Sequence, residues 1–274
     1  MTIFESIILA IVEGLTEFLP VSSTAHMIFA SSFFGIQANE FVKMFQVAIQ
    51  FGAILAVVVL YWKRFFNFKK LDFYIKLAVG VIPALVLGFL LDDYIEAVLE
   101  KPIPIAIVLV LGGIVFLVID RFFNRPRVTT ADDISLKQAL TIGFWQCIAM
   151  MPGTSRSAAS IIGGMQQGLS RKVAAEFSFF LAVPTMLAAT LYSVFVKKWQ
   201  MPAGEMRGYE MILQDSQHIT AFAIGNVVAF LVAIVAIKFF VSLLQRYGFK
   251  IWGWYRIVVG LALLALFLSG VVKV

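Results

Sequence analysis

The chain has 274 residues, 61% hydrophobic and only 14% charged, with a mean hydropathy of +0.94. Soluble domains carry about 25% charged residues, so this composition has no surface to offer water and excludes a soluble globular protein. The net charge of +6 is too diffuse to suggest a nucleic-acid partner, and the single cysteine, Cys147, excludes an intrachain disulfide.

In chain order, the first apolar region, 3–35, is too long for one membrane span and too short for two. Pro20-Val21-Ser22-Ser23-Thr24 breaks it near the middle. It lacks a basic leading stretch and carries Glu5, Glu13 and Glu17, so it is expected to stay on the chain rather than be cleaved as a signal peptide. A spanning helix needs about 20 mostly apolar residues. The runs 44–62, 73–91 and 103–119 qualify. A second long region, 136–168, is broken by Pro152-Gly153-Thr154-Ser155-Arg156-Ser157, and spans at 177–196, 219–241 and 254–271 follow.

Irregular backbone at membrane depth survives only inside protein or beside a wet cavity. Regions 3–35 and 136–168 are therefore read as re-entrant helix–loop–helix hairpins. The fold expected is an all-α polytopic membrane protein, with six transmembrane helices plus two re-entrant hairpins in one membrane domain, 1–274. Pro20 aligns with Pro152 at an offset of 132, and the same offset sets Phe45 on Phe177. Each half (about 1–120 and about 136–274) then crosses the membrane an odd number of times, which makes an inverted-topology repeat.

Loop charges orient the bundle. Lys63, Arg64, Lys69, Lys70, Arg121, Arg125, Arg127 and Lys137 fall on one side, as do Arg171, Lys172, Arg246 and Lys250. Asp92, Asp93, Glu96 and Glu100 fall on the other. An excess of Lys and Arg marks cytoplasmic loops, so the basic side is expected inside and both termini outside.

The chemistry is concentrated in the two breaks. Glu13 and Glu17, four apart, share one helix face and repel each other, a conflict that a divalent cation or an arginine resolves. Ser22, Ser23, Thr24 and His26 follow them. Arg156 is the only basic residue between Lys137 and Arg171. An ionisable group at that depth marks a functional site, and a guanidinium suits phosphate. Gly153, Thr154, Ser155 and Ser157 around it offer hydroxyls and accessible backbone N–H groups to an anion. Asn226, Lys238 and Glu176 are expected to serve packing or to snorkel, and His218 is expected in an exposed loop, 197–218.

Taken together, Glu13-x-x-x-Glu17, Pro20 through His26 and Pro152 through Ser157 resemble the undecaprenyl-diphosphate phosphatase family, the bacitracin-resistance membrane proteins. The likeness covers essentially the whole chain. Ala25 and Ala158 stand where that pattern has Gly, and Ser160 where it has Thr. The resemblance implies a bacterial inner-membrane enzyme with its site open to the periplasm. It would hydrolyse undecaprenyl diphosphate, recycle the carrier lipid of cell-wall synthesis and depend on a divalent metal.

On that reading Glu13 and Glu17 hold Mg²⁺ or Ca²⁺. Ser22, Thr24, Gly153, Thr154, Ser155, Arg156 and Ser157 bind the diphosphate. Ser23 is the expected nucleophile, with His26 as its base and Glu17 orienting His26; attack by His26 itself or by a metal-bound water stays open. Partners are the polyprenyl diphosphate, membrane lipids and, as one option, a second copy in a homodimer. The rival reading is a lipid flippase or secondary transporter, since inverted repeats with broken helices also build transporters.

Overall fold

The computed structural model describes residues 1–99, 101–123, 126–202 and 204–269. Glu100, Arg125 and the end of the 254–271 run lie outside the described residues, as do the side chains of Asp93 and Glu96.

Helices α1 (Ile3–Thr16) and α2 (Ser23–Phe33) form the first broken pair. Helices α3 (Glu40–Ala48) and α4 (Gln50–Leu60) follow, then a short α5 (Trp62–Phe65), α6 (Leu71–Leu90), α7 (Asp92–Leu99) and α8 (Pro102–Phe122). Helices α9 (Leu136–Cys147) and α10 (Arg156–Gln166) form the second broken pair. The chain continues through α11 (Arg171–Leu191), a hairpin of β1 (Lys198–Met201) and β2 (Gly204–Arg207), α12 (Gly208–Leu213), α13 (Ser216–Tyr247) and α14 (Lys250–Leu268).

Among the described residues, six helices are long and apolar enough to cross a membrane: Glu40–Leu60, Leu71–Leu90, Pro102–Phe122, Arg171–Val196, Ser216–Tyr247 and Lys250–Leu268. The protein is an all-α polytopic membrane protein. Its helices run past the apolar windows because polar caps start them. Ser170 accepts from Val173 N–H and Asp215 from His218 N–H, so α11 and α13 begin ahead of 177 and 219.

The first crossing bends at Ile49, between α3 and α4. There Asn226 Oδ1 from α13 accepts the Gly52 N–H at 2.9 Å, so Asn226 serves packing. The 197–218 segment is folded rather than a bare exposed loop. Trp199 and Met211 are buried in one cluster with Phe41, Met44 and Phe45, and the His218 ring stacks on Phe41 at 3.7 Å. Trp199, Met211 and Ile212 anchor this segment in a core shared with α1, α3 and α13.

The two broken pairs are built alike. Thr2 and Ser135 open α1 and α9 with capping boxes, closed by Glu5 and Gln138. Ser22 and Ser155 cap α2 and α10 from left-handed backbone, with φ of 69° and 77°, and Gly35 and Gly168 end those helices with φ of 68° and 86°. All three correspondences fall at an offset of 133, one more than the proline match implies.

Packing crosses between the halves: α1 lies along α13, α9 along α6, α4 along α11, and α8 along α14. At one end of the bundle Asp132 pairs with Arg64 and Lys70, while Asp120 binds Arg171 and the Phe249 N–H. Gln138 donates to Gln167 O at 2.9 Å at that same end, so α9 starts where α10 finishes. The other end joins Tyr192 to Asp92 and Gln217 to Met1 O.

Small residues set the closest approaches. A Cβ on Gly143 of α9 would sit 2.2 Å from Gly80 O of α6. Gly143→Ala is therefore expected to destabilise the protein by about 1–3 kcal/mol, the usual cost of overpacking. Thermal unfolding in detergent checks this, and an unchanged midpoint would contradict the contact.

Candidate active site

Helix α1 carries Glu13, and Glu17 caps its C-terminal end one turn on, its N–H closing on Glu13 O at 2.9 Å. The chain then turns through Phe18–Val21, and α2 restarts from Ser22. The second break runs from Met151 to Ser155, where α10 restarts. Left-handed backbone costs a non-glycine residue about 1–2 kcal/mol. Ser22 and Ser155 offset it by accepting the Ala25 and Ala158 N–H groups at 3.4 and 3.3 Å.

The two breaks meet. Ser157 Oγ donates to Leu19 O at 2.9 Å across them, and Ser155 Oγ lies 3.1 Å from Ser157 Oγ. Arg156 Nη2 donates to Glu17 Oε1 at 2.8 Å, and Nη1 donates to Ser178 O at 3.0 Å. Glu17 Oε2 accepts the Ser23 hydroxyl at 2.6 Å. One carboxylate thus bridges the hydroxyl that starts α2 and the guanidinium that starts α10. These two residues hold equivalent places in the two pairs. The site also gathers two helix N-termini, whose unpaired N–H groups and dipoles attract anions.

Below both breaks lies Arg256 of α14, fully buried. Its guanidinium donates to Pro20 O at 3.1 Å, Thr154 O at 3.0 Å, Gly153 O at 2.8 Å and Leu109 O at 3.2 Å. Gly153 has φ 94°, and a Cβ there would meet Ile105 O at 2.5 Å, so glycine is needed at this turn. Sequence reasoning missed Arg256. The signal was present, because it is the one charged residue inside the last apolar run.

His26 is placed differently from the expected relay. Its Nδ1 lies 2.8 Å from Ser22 O, and a carbonyl only accepts, so Nδ1 carries the proton. Its Nε2 is 2.9 Å from Tyr255 Oη, and the two rings stack. Both nitrogens are engaged away from Ser23, whose proton partner is Glu17. Tyr255, next to Arg256, was not legible as a site neighbour. Thr24 sits half-buried on α2, and its hydroxyl meets no partner among the described residues.

Glu13 is buried against Glu17, and its Oε1 has no hydrogen-bond partner. Two adjoining carboxyl groups out of water call for a proton or a cation between them. Among the described residues no three His, Cys, Asp or Glu side chains converge as a metal site. A cation here would take only these two carboxylates from the protein. That fits a hard ion such as Mg²⁺, which keeps waters and phosphate oxygens as its other ligands.

The family model described as bacitracin resistance protein BacA matches residues 6–262. The chain belongs to the BacA family. Three similar relatives are each named undecaprenyl-diphosphatase. The Flavobacterium johnsoniae protein is 54% identical over 96% of both chains. The Porphyromonas gingivalis protein is 49% identical over 99% of both. The Campylobacter jejuni protein is 42% identical over 98% of this chain and 96% of its own. The BacA match takes in both breaks and Arg256.

Arg256 satisfies carbonyls that water cannot reach. Arg256→Gln removes most of those donors, and each buried carbonyl left unpaired costs about 1–3 kcal/mol. The variant is expected to unfold at a clearly lower temperature in detergent. Wild-type stability would mean that water reaches these carbonyls after all.

Proposed function

We propose that the chain is a membrane hydrolase that converts undecaprenyl diphosphate to undecaprenyl phosphate and inorganic phosphate. The observation that carries this reading is Glu17 held between Ser23 and Arg156 where the two breaks meet. The names of the relatives supply the substrate. A flippase, the alternative, has no use for a hydroxyl held on a carboxylate beside an anion-binding guanidinium.

Arg156, with the N–H groups opening α2 and α10, binds the terminal phosphoryl group. Ser22, Thr24, Gly153, Thr154, Ser155 and Ser157 line the same two turns and form its surroundings. Ser23 Oγ attacks the terminal phosphorus, and its proton passes to Glu17 Oε2. The bond to the bridging oxygen breaks, and its electron pair leaves with the lipid monophosphate. Water then attacks the phosphoserine, its proton passes to Ser23 Oγ, and hydrogen phosphate departs. Glu17 returns its proton to solvent. Arg156 and the helix dipoles stabilise the charge spread over the phosphoryl oxygens in both steps.

His26 fixes the Ser22 carbonyl and so the pitch at which Ser23 is presented. Glu13 and Glu17 are the residues that would hold Mg²⁺ or Ca²⁺, which when bound neutralises phosphoryl charge.

Each broken pair is read as a re-entrant hairpin, and the halves 1–120 and 136–274 as an inverted repeat. The matching caps at an offset of 133 support this. The basic end then faces the cytoplasm of a bacterial inner membrane, and the site serves the periplasmic side.

Purified protein in detergent should release phosphate from a C55 diphosphate and lose that activity with chelator. Ser23→Ala and Glu17→Gln are each expected to lower turnover about a thousandfold or more while the protein stays folded. Arg156→Lys should lose about a hundredfold, because a point charge does not replace the planar fork. Mass spectrometry after acid quenching should find the phosphoryl group on Ser23. An adduct on His26 would reassign the nucleophile, and normal turnover in Ser23→Ala would overturn the mechanism.

A further inference from the structure

The link 61–70 joins two of the helices long enough to cross a membrane, so it sits at the depth of the lipid headgroups. It presents Trp62, Phe66 and Phe68 at 56, 59 and 69% exposure, and Leu71 at the start of α6 is 68% exposed. Aromatic residues displayed this way mark the membrane–water interface.

The same link and the start of α6 border two adjoining cavities of about 410 and 190 Å³, both lined by Lys70, Phe73 and Asp132, the larger also by Leu71. Lys63, Arg64, Lys69, Lys70 and Lys76 line them against Asp72 and Asp132, five cations facing two carboxylates. The carboxylates are already committed. Asp132 takes Arg64 and Lys70, the latter at 2.7 Å, while Asp72 pairs with Lys76. Lys76 is buried and its Nζ also donates to Asp132 O at 2.7 Å, so the floor of the larger cavity is fixed. The hydrogen bond from Lys70, helped by Arg64, holds the Asp132 carboxyl below the usual carboxylate range. Lys63 and Lys69 meet no carboxylate among the described residues.

We propose that these cavities seat the headgroup of an anionic glycerophospholipid from the adjacent leaflet. Lys69 and Lys63 take the phosphodiester, and the acyl chains lie along Phe66, Phe68 and Leu71. A free anion would use the lysines and leave the apolar rim idle. A zwitterionic lipid would use the rim and leave the excess positive charge unanswered. Only an anionic lipid matches both. The site lies outside the catalytic breaks and does not depend on the hydrolase reading.

The test is native mass spectrometry of the purified protein in neutral detergent, with phosphatidylglycerol or phosphatidylcholine of the same acyl chains. Wild type should retain phosphatidylglycerol in preference. The double variant K63Q/K69Q should lose on the order of tenfold in affinity for it, with phosphatidylcholine retention unchanged. Both side chains are exposed and meet no carboxylate among the described residues, so the variant's unfolding temperature and its phosphate release in detergent should match wild type. Millimolar inorganic phosphate should not displace the lipid. Equal retention by the variant, absence of headgroup preference, or displacement by phosphate would each overturn the proposal, the last by making the site one for a free anion.

Discussion

A chain that breaks its helices inside an apolar slab strands backbone carbonyls that water cannot satisfy, and the whole site rests on how Arg256 answers them. One buried guanidinium binds Pro20 O on one break, Gly153 O and Thr154 O on the other, and Leu109 O on α8. Its rigid fork of donors holds two separate stretches of irregular backbone together. Helix α8 makes room for it with a glycine pair: a Cβ on Gly112 would come within 2.3 Å of the guanidinium. The groups proposed to react are mounted on these two breaks, so the alignment of Ser23, Glu17 and Arg156 depends on a residue in the last helix.

The charge balance follows from the same contacts. Arg156 has Glu17 as a counter-charge, whereas Arg256 is answered by carbonyl dipoles and by the Phe116 ring, 5.1 Å from its guanidinium. Two helix N-termini add further positive potential at the same place. Among the described residues Glu13 is the other carboxyl group there, and its open oxygen is suited to a shared cation. With a proton or a cation on the Glu13–Glu17 pair, the two guanidinium groups and the helix N-termini leave the site with an excess of positive potential in a low-dielectric setting. A multiply charged diphosphate is the kind of ligand that relieves it, because interactions there are much stronger than in water.

Much of this could be read from the sequence, for physical reasons that differ by element. The six crossings were legible because a bilayer demands long apolar runs, and the two breaks because proline and hydroxyl residues have no other business there. Glu13, Glu17 and Arg156 stood out as charges at forbidden depth. Arg256 obeys the same rule, yet the run around it is so apolar that one charge did not alter how the whole stretch read. The prolines of the two breaks match at an offset of 132, whereas the left-handed serines and the helix caps match at 133. The pairing of Ser23 with His26 rested on a three-residue helical spacing. That spacing cannot reveal that Tyr255, from a helix 229 residues away in sequence, takes the imidazole instead. Nor does local pattern show that Glu17, before the turn, folds back onto Ser23 after it.

The crossed packing of the halves bears on how the protein is made. Helix α1 leaves the ribosome long before α13, along which it packs, and the arginine that secures the α1–α2 break arrives later still, on α14. Until α14 has been synthesised, the first pair lacks its backbone partner. Its open carbonyls and its two carboxylates must wait in the membrane insertion machinery or at the water interface. The first broken pair, though translated early, is thus among the last parts of the molecule to settle, and a chain cut short before Arg256 would carry both breaks without the guanidinium that joins them.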